Sequence, residues 1–286
     1  MMSAHAELKS VTARGLTIRY RELGQGPPVL LIHGWPTSSF VWRNVMPYIG
    51  VSCRAVAIDL PGFGGSDKPL NLTYDMAFYG SVLEEFCDLV GIGPTLSLVV
   101  HDIGGPIGLH WAMGSSYRLE RLAVLNTLLY PDLSLMVRAF LLACRTPGLS
   151  RFLATPWSLR QTLRFGVRNQ TCIDQRACDG VCTPYPDRPS RKALMRTLND
   201  LDTDAFSDIV AWLPALNIPV QIIHGAGDRI LPKMGQTAAR LLRDLPQARL
   251  HTFEHCGHFL QEEAPDEVGA LLSAFFKQPT PSSAAG

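Results

Sequence analysis

Short apolar runs alternate with amphipathic segments along most of this chain. Val29–His33 reads VLLIH and stops at Gly34, which predicts a strand buried on both faces of a parallel sheet. Arg54–Ile58, Thr95–Val100, Leu122–Leu125, Val220–Ile223 and Arg249–Phe253 read the same way. Leu16–Glu22 alternates in polarity and predicts an edge strand. Between these runs, Tyr74–Val90, Pro106–Met113, Met234–Leu245 and Glu267–Phe276 carry helical spacing. Strands alternating with helices predict an α/β architecture, a mostly parallel sheet flanked by helices on both faces.

The alternation breaks between residues 131 and 212. Leu133–Ala143 and Trp157–Val167 have helical spacing, the turn Thr183–Pro189 is rich in proline, and no buried-strand run occurs. A helical lid inserted over the C-terminal edge of the sheet fits this stretch, and open α/β sheets bind ligands at that edge. The expected division is a core from 1–130 and 213–277, a lid from 131–212, and a flexible tail at 278–286 made mostly of Pro, Ser, Ala and Gly.

Composition supports a globular enzyme-sized chain. Of 286 residues, 47% are apolar and 18% charged, enough for a sizeable core. The 26 basic and 25 acidic residues leave a net charge of +1, so whole-chain electrostatics point to neither nucleic acid nor an anionic membrane as a partner. No apolar run reaches the ~18 residues of a membrane span. Met1–Ser10 lacks the apolar segment of a signal peptide. The seven cysteines are odd in number and lack paired spacing, which predicts free thiols and a cytoplasmic setting. Cys172, Cys178 and Cys182 cluster without a nearby histidine, so no metal site is expected there, and no cofactor is implied.

The chemistry concentrates where strands end. VVHDIGGPIG follows a buried run and precedes a helix, with Gly104 and Gly105 just after Asp102. A sharp strand–turn–helix bend needs small neighbours so that its central side chain stands clear. The familiar motif carries serine at that point, whereas this chain carries aspartate. Asp102 is already ionised near neutrality, with a reference pKa of ~3.9. Its attack on an sp³ carbon gives a stable ester, which water must then hydrolyse with the help of a base. A helix N-cap is the plain alternative role for Asp102. In FEHCGHFLQEEAPDEV, His258 is the better-placed base and His255 the other candidate. Asp228, in HGAGDRILP after Val220–Ile223, is the candidate orienting acid, or else a turn residue. The resulting order of nucleophile, acid and histidine is that of the α/β-hydrolase fold. HGWP places the backbone N–H of Trp35 beside that of Ile103 as an expected oxyanion hole.

Together, HGWPTSSFVWRNVMPYI, DLPGFGGSDKP, VVHDIGGPIG, GAGDRILP and CGHFLQEEAPDEV resemble the haloalkane dehalogenase and epoxide hydrolase group of α/β-hydrolases; CTPYPDRPSR resembles a turn of dehalogenase lids. The resemblance implies Asp102 as nucleophile, Asp228 as orienting acid and His258 as base. Departures bear on the substrate. Ile103 stands where haloalkane dehalogenases carry a halide-binding tryptophan and fluoroacetate dehalogenases an arginine. Trp35 stands where dehalogenases usually carry Asn or Glu, and an aromatic there is common among epoxide hydrolases. The indole of Trp35 or Trp157 is a possible replacement donor.

An epoxide leaves as a basic alkoxide and wants a proton donor, for which Tyr130 and Tyr185 are the candidates in or beside the lid. Phe40, Phe140, Trp157 and Phe165, together with Trp35, are expected to line an apolar pocket. The reading that follows is hydrolysis of a small apolar electrophile by water through an alkyl ester on Asp102, with epoxide-to-diol conversion first and haloalkane dehalogenation as the alternative. A non-catalytic ligand-binding protein on the same fold is the alternative of another class. Oligomeric state is not legible.

Overall fold

The computed structural model describes residues 6–278. Its strands are β1 (Glu7–Ala13), β2 (Leu16–Leu23), β3 (Pro28–Ile32), β4 (Arg54–Ile58), β5 (Thr95–Asp102), β6 (Arg118–Thr127), β7 (Val220–Gly225) and β8 (Arg249–Phe253). Its helices are α1 (Met46–Ile49), α2 (Met76–Leu89), α3 (Gly104–Gly114), α4 (Leu135–Arg145), α5 (Pro147–Leu153), α6 (Pro156–Gly166), α7 (Gln175–Cys182), α8 (Arg188–Asn199), α9 (Ala205–Trp212), α10 (Met234–Asp244), α11 (Leu260–Glu263) and α12 (Pro265–Lys277).

The strands form one sheet in the order β1-β2-β4-β3-β5-β6-β7-β8. β2 runs antiparallel to both its neighbours, β1 and β4, and all other neighbouring strands pair in parallel. Alternate residues of the central strands point to opposite faces. Leu30, Ile32, Leu98, Val100 and Val124 join the layer that holds α2, α3, α9 and α10. Val29, Leu31, Val99, Leu125 and Ile223 pack against α1 and α12.

Two edges differ from the sequence expectation. Leu16–Glu22 is not the edge, because β1 pairs outside it. β1 shows no apolar alternation, since only Ala13 of its residues is buried. β8 was expected to be a buried strand but forms the opposite edge, with Phe253 its only buried residue.

Between β6 and β7 the chain is helical. α4 to α8 stand over the C-terminal edge of the sheet, whereas α9, at the end of the expected 131–212 insertion, packs against α3 of the core. The expected tail at 278–286 lies outside the described residues apart from Gln278.

Candidate active site

Asp102 closes β5, and α3 begins two residues later. Its φ is +51°, a strained value for a residue with a Cβ. Glycine makes this bend possible. A Cβ on Gly104 would lie 2.4 Å from the His33 carbonyl, and one on Gly34 would lie 2.3 Å from the Asp102 Cβ. Thr127 Oγ1 donates to the Asp102 carbonyl at 2.6 Å and ties the bend to β6.

The Asp102 carboxylate is buried and faces a cavity. Its Oδ2 accepts the Trp35 N–H at 2.8 Å, and the neighbouring Ile103 N–H favours the charged form of the group. The turn that presents Trp35 is fixed by a Thr37 N–H to Gly34 carbonyl bond of 2.9 Å, and the Trp35–Pro36 peptide is cis. Asp59, from the DLPGFGGSDKP segment, accepts Ser39 N–H and Gly65 N–H, each at 2.7 Å, and so locks the two loops together. Burial pushes the Asp102 carboxyl above its ordinary value, opposed by the charge of His258 and the two N–H donors.

His258 reaches the same place from the loop after β8. Its Nδ1 lies 2.9 Å from Asp228 Oδ2, and its Nε2 lies 3.9 Å from Asp102 Oδ1. The second distance is beyond hydrogen-bond reach. Nε2 is buried and has no partner among the described residues. Burial alone would lower the imidazole, but the charge and hydrogen bond of Asp228, with the charge of Asp102, outweigh it and hold His258 above its ordinary value. Asp228 is fully occupied: Oδ1 accepts Ile230 and Leu231 N–H groups at 2.8 Å each. His255, the other candidate base, is exposed on the surface, 3.3 Å from Glu267.

Asn126 was missed by the sequence reading. The β5–β6 register slips there, with His101 opposite Leu125 and Asp102 opposite Thr127, so Asn126 bulges out at φ +30°. Its Nδ2 donates to Asp228 Oδ2 at 2.8 Å and to the Gly257 carbonyl at 3.0 Å, while its Oδ1 accepts Gly225 N–H at 3.0 Å. The signal was an uncharged polar residue directly after the apolar run of β6. His101 was also unassigned: its Nε2 lies 3.0 Å from the His258 carbonyl, and the two rings are 4.7 Å apart. Asn126→Ala strands buried groups on three segments. It should cost about 2–4 kcal/mol, two to three unmet hydrogen bonds, and lower the melting temperature on calorimetry. An unchanged melting temperature would show that the loops hold themselves.

The cavity that Asp102 faces has a volume of about 390 Å³. Trp35, Ile103, Val137, Phe140, Leu141, Phe165, Ile230 and Leu231 are among its lining residues, with Ser158, Gln161 and Thr162 as the polar additions from α6. Phe140 and Phe165 therefore sit where the sequence placed them; Phe40 and Trp157 do not. The Phe40 ring lies over Gly180 with the Arg43 guanidinium 4.1 Å from its centroid, because the short 3₁₀ turn Ser39–Trp42 rotates it outward. Trp157 is exposed on the outer face of α6 and packs on Phe152.

Neither candidate tyrosine lines the cavity. The Tyr130 hydroxyl donates to Asp244 at 2.6 Å and its ring carries the Arg240 guanidinium. Tyr185 is fully buried beside Lys68 and the Asp59–Gly64 loop. Burial raises both phenols above their ordinary value, with Asp244 adding to the effect at Tyr130. Both are thus poorer acids as well as misplaced ones.

The model of the alpha/beta hydrolase family matches residues 29–271. The chain belongs to this family. A cis-3-alkyl-4-alkyloxetan-2-one decarboxylase of Shewanella oneidensis is 29% identical over 282 residues, covering 94% of this chain and 87% of that protein. A haloalkane dehalogenase of Sphingobium indicum is 26% identical over 300 residues, covering 96% and 97%. The crystal structure of haloalkane dehalogenase DbeA from Bradyrhizobium elkani superposes with a TM-score of 0.82 at 25% identity, covering 94% of this chain and 97% of that one. The epoxide hydrolase CorEH shares the fold, with a TM-score of 0.81 at 22% identity over 94% of this chain and 98% of that one. The protein is an enzyme of the alpha/beta hydrolase family, similar to haloalkane dehalogenases in sequence and to an epoxide hydrolase in fold.

Proposed function

We propose that this hydrolase displaces a weakly basic leaving group from an sp³ carbon with the Asp102 carboxylate and hydrolyses the resulting alkyl ester, as in hydrolytic dehalogenation. The observation that carries the reading is the Asp102 carboxylate at the cavity wall, held by the Trp35 N–H, with an unpartnered His258 Nε2 3.9 Å away. In the first step a carboxylate oxygen bonds to carbon and the halide departs with its electron pair. In the second, His258 takes a proton from water, the hydroxide attacks the ester carbonyl carbon, and the Trp35 and Ile103 N–H groups bear the oxyanion. Collapse releases the alcohol and restores the carboxylate; Asp228 holds the imidazole in the required tautomer.

The choice of leaving group turns on what the cavity offers. An epoxide oxygen needs an acid, and no tyrosine among the described residues lines this cavity. A halide needs only a donor. The Trp35 indole N–H is buried without an acceptor among the described residues, and Trp35 lines the cavity. Trp35→Phe keeps the ring and removes that donor. It should lower kcat/KM for bromoalkanes roughly 10- to 100-fold, the worth of a hydrogen bond to an anion. The melting temperature should hold or rise, because a stranded donor is gone. Equal kcat/KM would remove the indole from the mechanism.

A second reading takes its support from the oxetan-2-one decarboxylase among the relatives. A carboxylate leaving from a strained lactone is also weakly basic, and the apolar walls suit alkyl chains. The products would be an alkene and carbon dioxide. One panel separates the readings: halide and alcohol from short bromo- and iodoalkanes, alkene from a cis-dialkyl oxetan-2-one, diol from epoxides. Dehalogenation predicts halide release above a buffer blank. Diol or alkene without halide would replace it.

The pH profile carries a sign. His258 must be neutral to accept a proton, and Asp228 holds its pKa above the ordinary imidazole value. Ester hydrolysis should therefore be fast at alkaline pH and fall as pH drops through that raised pKa. Stopped-flow measurement of the ester-hydrolysis step against pH checks this; a flat profile down to pH 5 would not fit a histidine base.

A further inference from the structure

The lid carries a charge pattern unlike the rest of the molecule. From Leu133 to Ile173 there are six arginines (Arg138, Arg145, Arg151, Arg160, Arg164 and Arg168) and no Asp, Glu or Lys. All six side chains are exposed. Among the described residues, none pairs with a carboxylate within ion-pair distance. The bounding acids are engaged elsewhere: Asp132 pairs with Arg240, and Asp174 caps α7. The whole-chain charge of +1, which suggested no membrane partner, averages this segment away.

The same surface is apolar where a soluble face is ordinarily polar. Leu135 is 85% exposed, Leu142 67%, Trp157 59% and Phe152 52%. On α4, Leu135, Ala139 and Leu142 follow i, i+4, i+7 spacing along the solvent side, and Arg138 and Arg145 form the flank of that row. α4 packs on α5 and α5 on α6, and the Phe152 and Trp157 rings lie 5.7 Å apart, so the apolar positions form one surface. Met136 and Phe165 are both exposed and both line the Asp102 cavity. Met136 and Phe165 therefore mark the cavity mouth, between α4 and α6, at the border of this patch.

We propose that the outer face of α4, α5 and α6 docks on an anionic phospholipid surface, so that apolar substrate dissolved in the bilayer enters the cavity without crossing water. Arginines around protruding leucine, phenylalanine and tryptophan side chains are the chemistry of interfacial helices that lie in the headgroup plane. The patch is a docking face and not a span, since no helix among the described residues is long and apolar enough to cross a membrane. A second copy of this chain is a poor occupant. A two-fold contact sets a patch against itself, and here it would bring together two sets of the five guanidinium groups on α4 to α6, none of them paired with a carboxylate among the described residues. The docking surface does not depend on which electrophile Asp102 attacks.

The test is cosedimentation of the full chain with vesicles of phosphatidylcholine alone and of phosphatidylcholine with about 30 mol% phosphatidylglycerol, in about 0.1 M and 0.5 M NaCl. Binding should favour the anionic vesicles at least tenfold and weaken at least tenfold in high salt. The triple variant Arg138→Gln, Arg145→Gln, Arg164→Gln and, separately, Leu142→Gln should each bind on the order of tenfold more weakly or worse. All these positions are exposed, and unchanged melting temperatures would show that the fold is intact. Two variants of different chemistry guard against one that misfolds. No vesicle binding, or equal binding to both compositions, overturns the proposal. So does a concentration-dependent dimer, seen by ultracentrifugation, that Leu142→Gln dissolves while the unaltered protein ignores vesicles.

Discussion

Replacing His258 by glutamine should leave an enzyme that releases about one equivalent of halide and then stalls. The first step uses only the Asp102 carboxylate, which the Trp35 N–H still holds. The second step loses its base, and general-base removal costs about 10²- to 10⁴-fold. Glutamine still offers Asp228 a donor, so the buried acid is not stranded and the loop should fold. Mass spectrometry of the stalled protein should find the alkyl group on the peptide that contains Asp102. Steady turnover by this variant, or an alkyl group on another residue, would remove the ester from the reaction. A burst with trapped ester would also exclude the non-catalytic binding protein.

Asp102→Ala should abolish activity, by at least about 10⁴-fold, while the protein keeps or gains stability. The loss is chemical, since no other carboxylate among the described residues lines the cavity. Removing a nucleophile leaves only binding and oxyanion stabilisation. The gain is physical: the native side chain is a buried carboxylate whose charged form burial disfavours. The +51° φ strain persists in alanine. Thermal unfolding beside a halide assay reads both quantities. A variant that loses activity only because it unfolds would contradict the account, as would one that retains turnover. Stability withheld at a reactive centre is the usual cost of preorganised charge.

The trio of Asp102, Asp228 and His258 was legible because each follows the end of a parallel strand, and parallel strands deliver their C-terminal ends to one edge. Chain order then does the work of geometry. Cavity positions in the lid were legible only along one helix at a time. On α6, Ser158, Gln161, Thr162 and Phe165 follow the i, i+3, i+4, i+7 spacing of one face, and all line the cavity. Trp157 precedes that face by one residue and points away. Phe40 follows the HGWP turn closely in sequence, yet a 3₁₀ turn carries its ring to Arg43. Tyr130 and Tyr185 failed for another reason. Where a phenol points depends on Asp244 in one case and on the Asp59–Gly64 loop in the other, partners distant in sequence and unmarked by periodicity. β1 was invisible because it buries only Ala13 fully, too little to leave a pattern.

The lid is anchored at both flanks: Tyr130 and Asp132 bind Asp244 and Arg240 on one side. The C-terminal end of α6 is stitched to the base loop: the Gly166 carbonyl accepts His258 N–H at 2.6 Å, and Glu263 accepts Arg168 and Asn169 N–H groups at 2.7 and 2.9 Å. Arg229 adds a bond to the Val167 carbonyl at 3.1 Å. Lifting α6 would drag the imidazole off its acid. The helix that covers the cavity and the proton-transfer apparatus therefore form one mechanical unit.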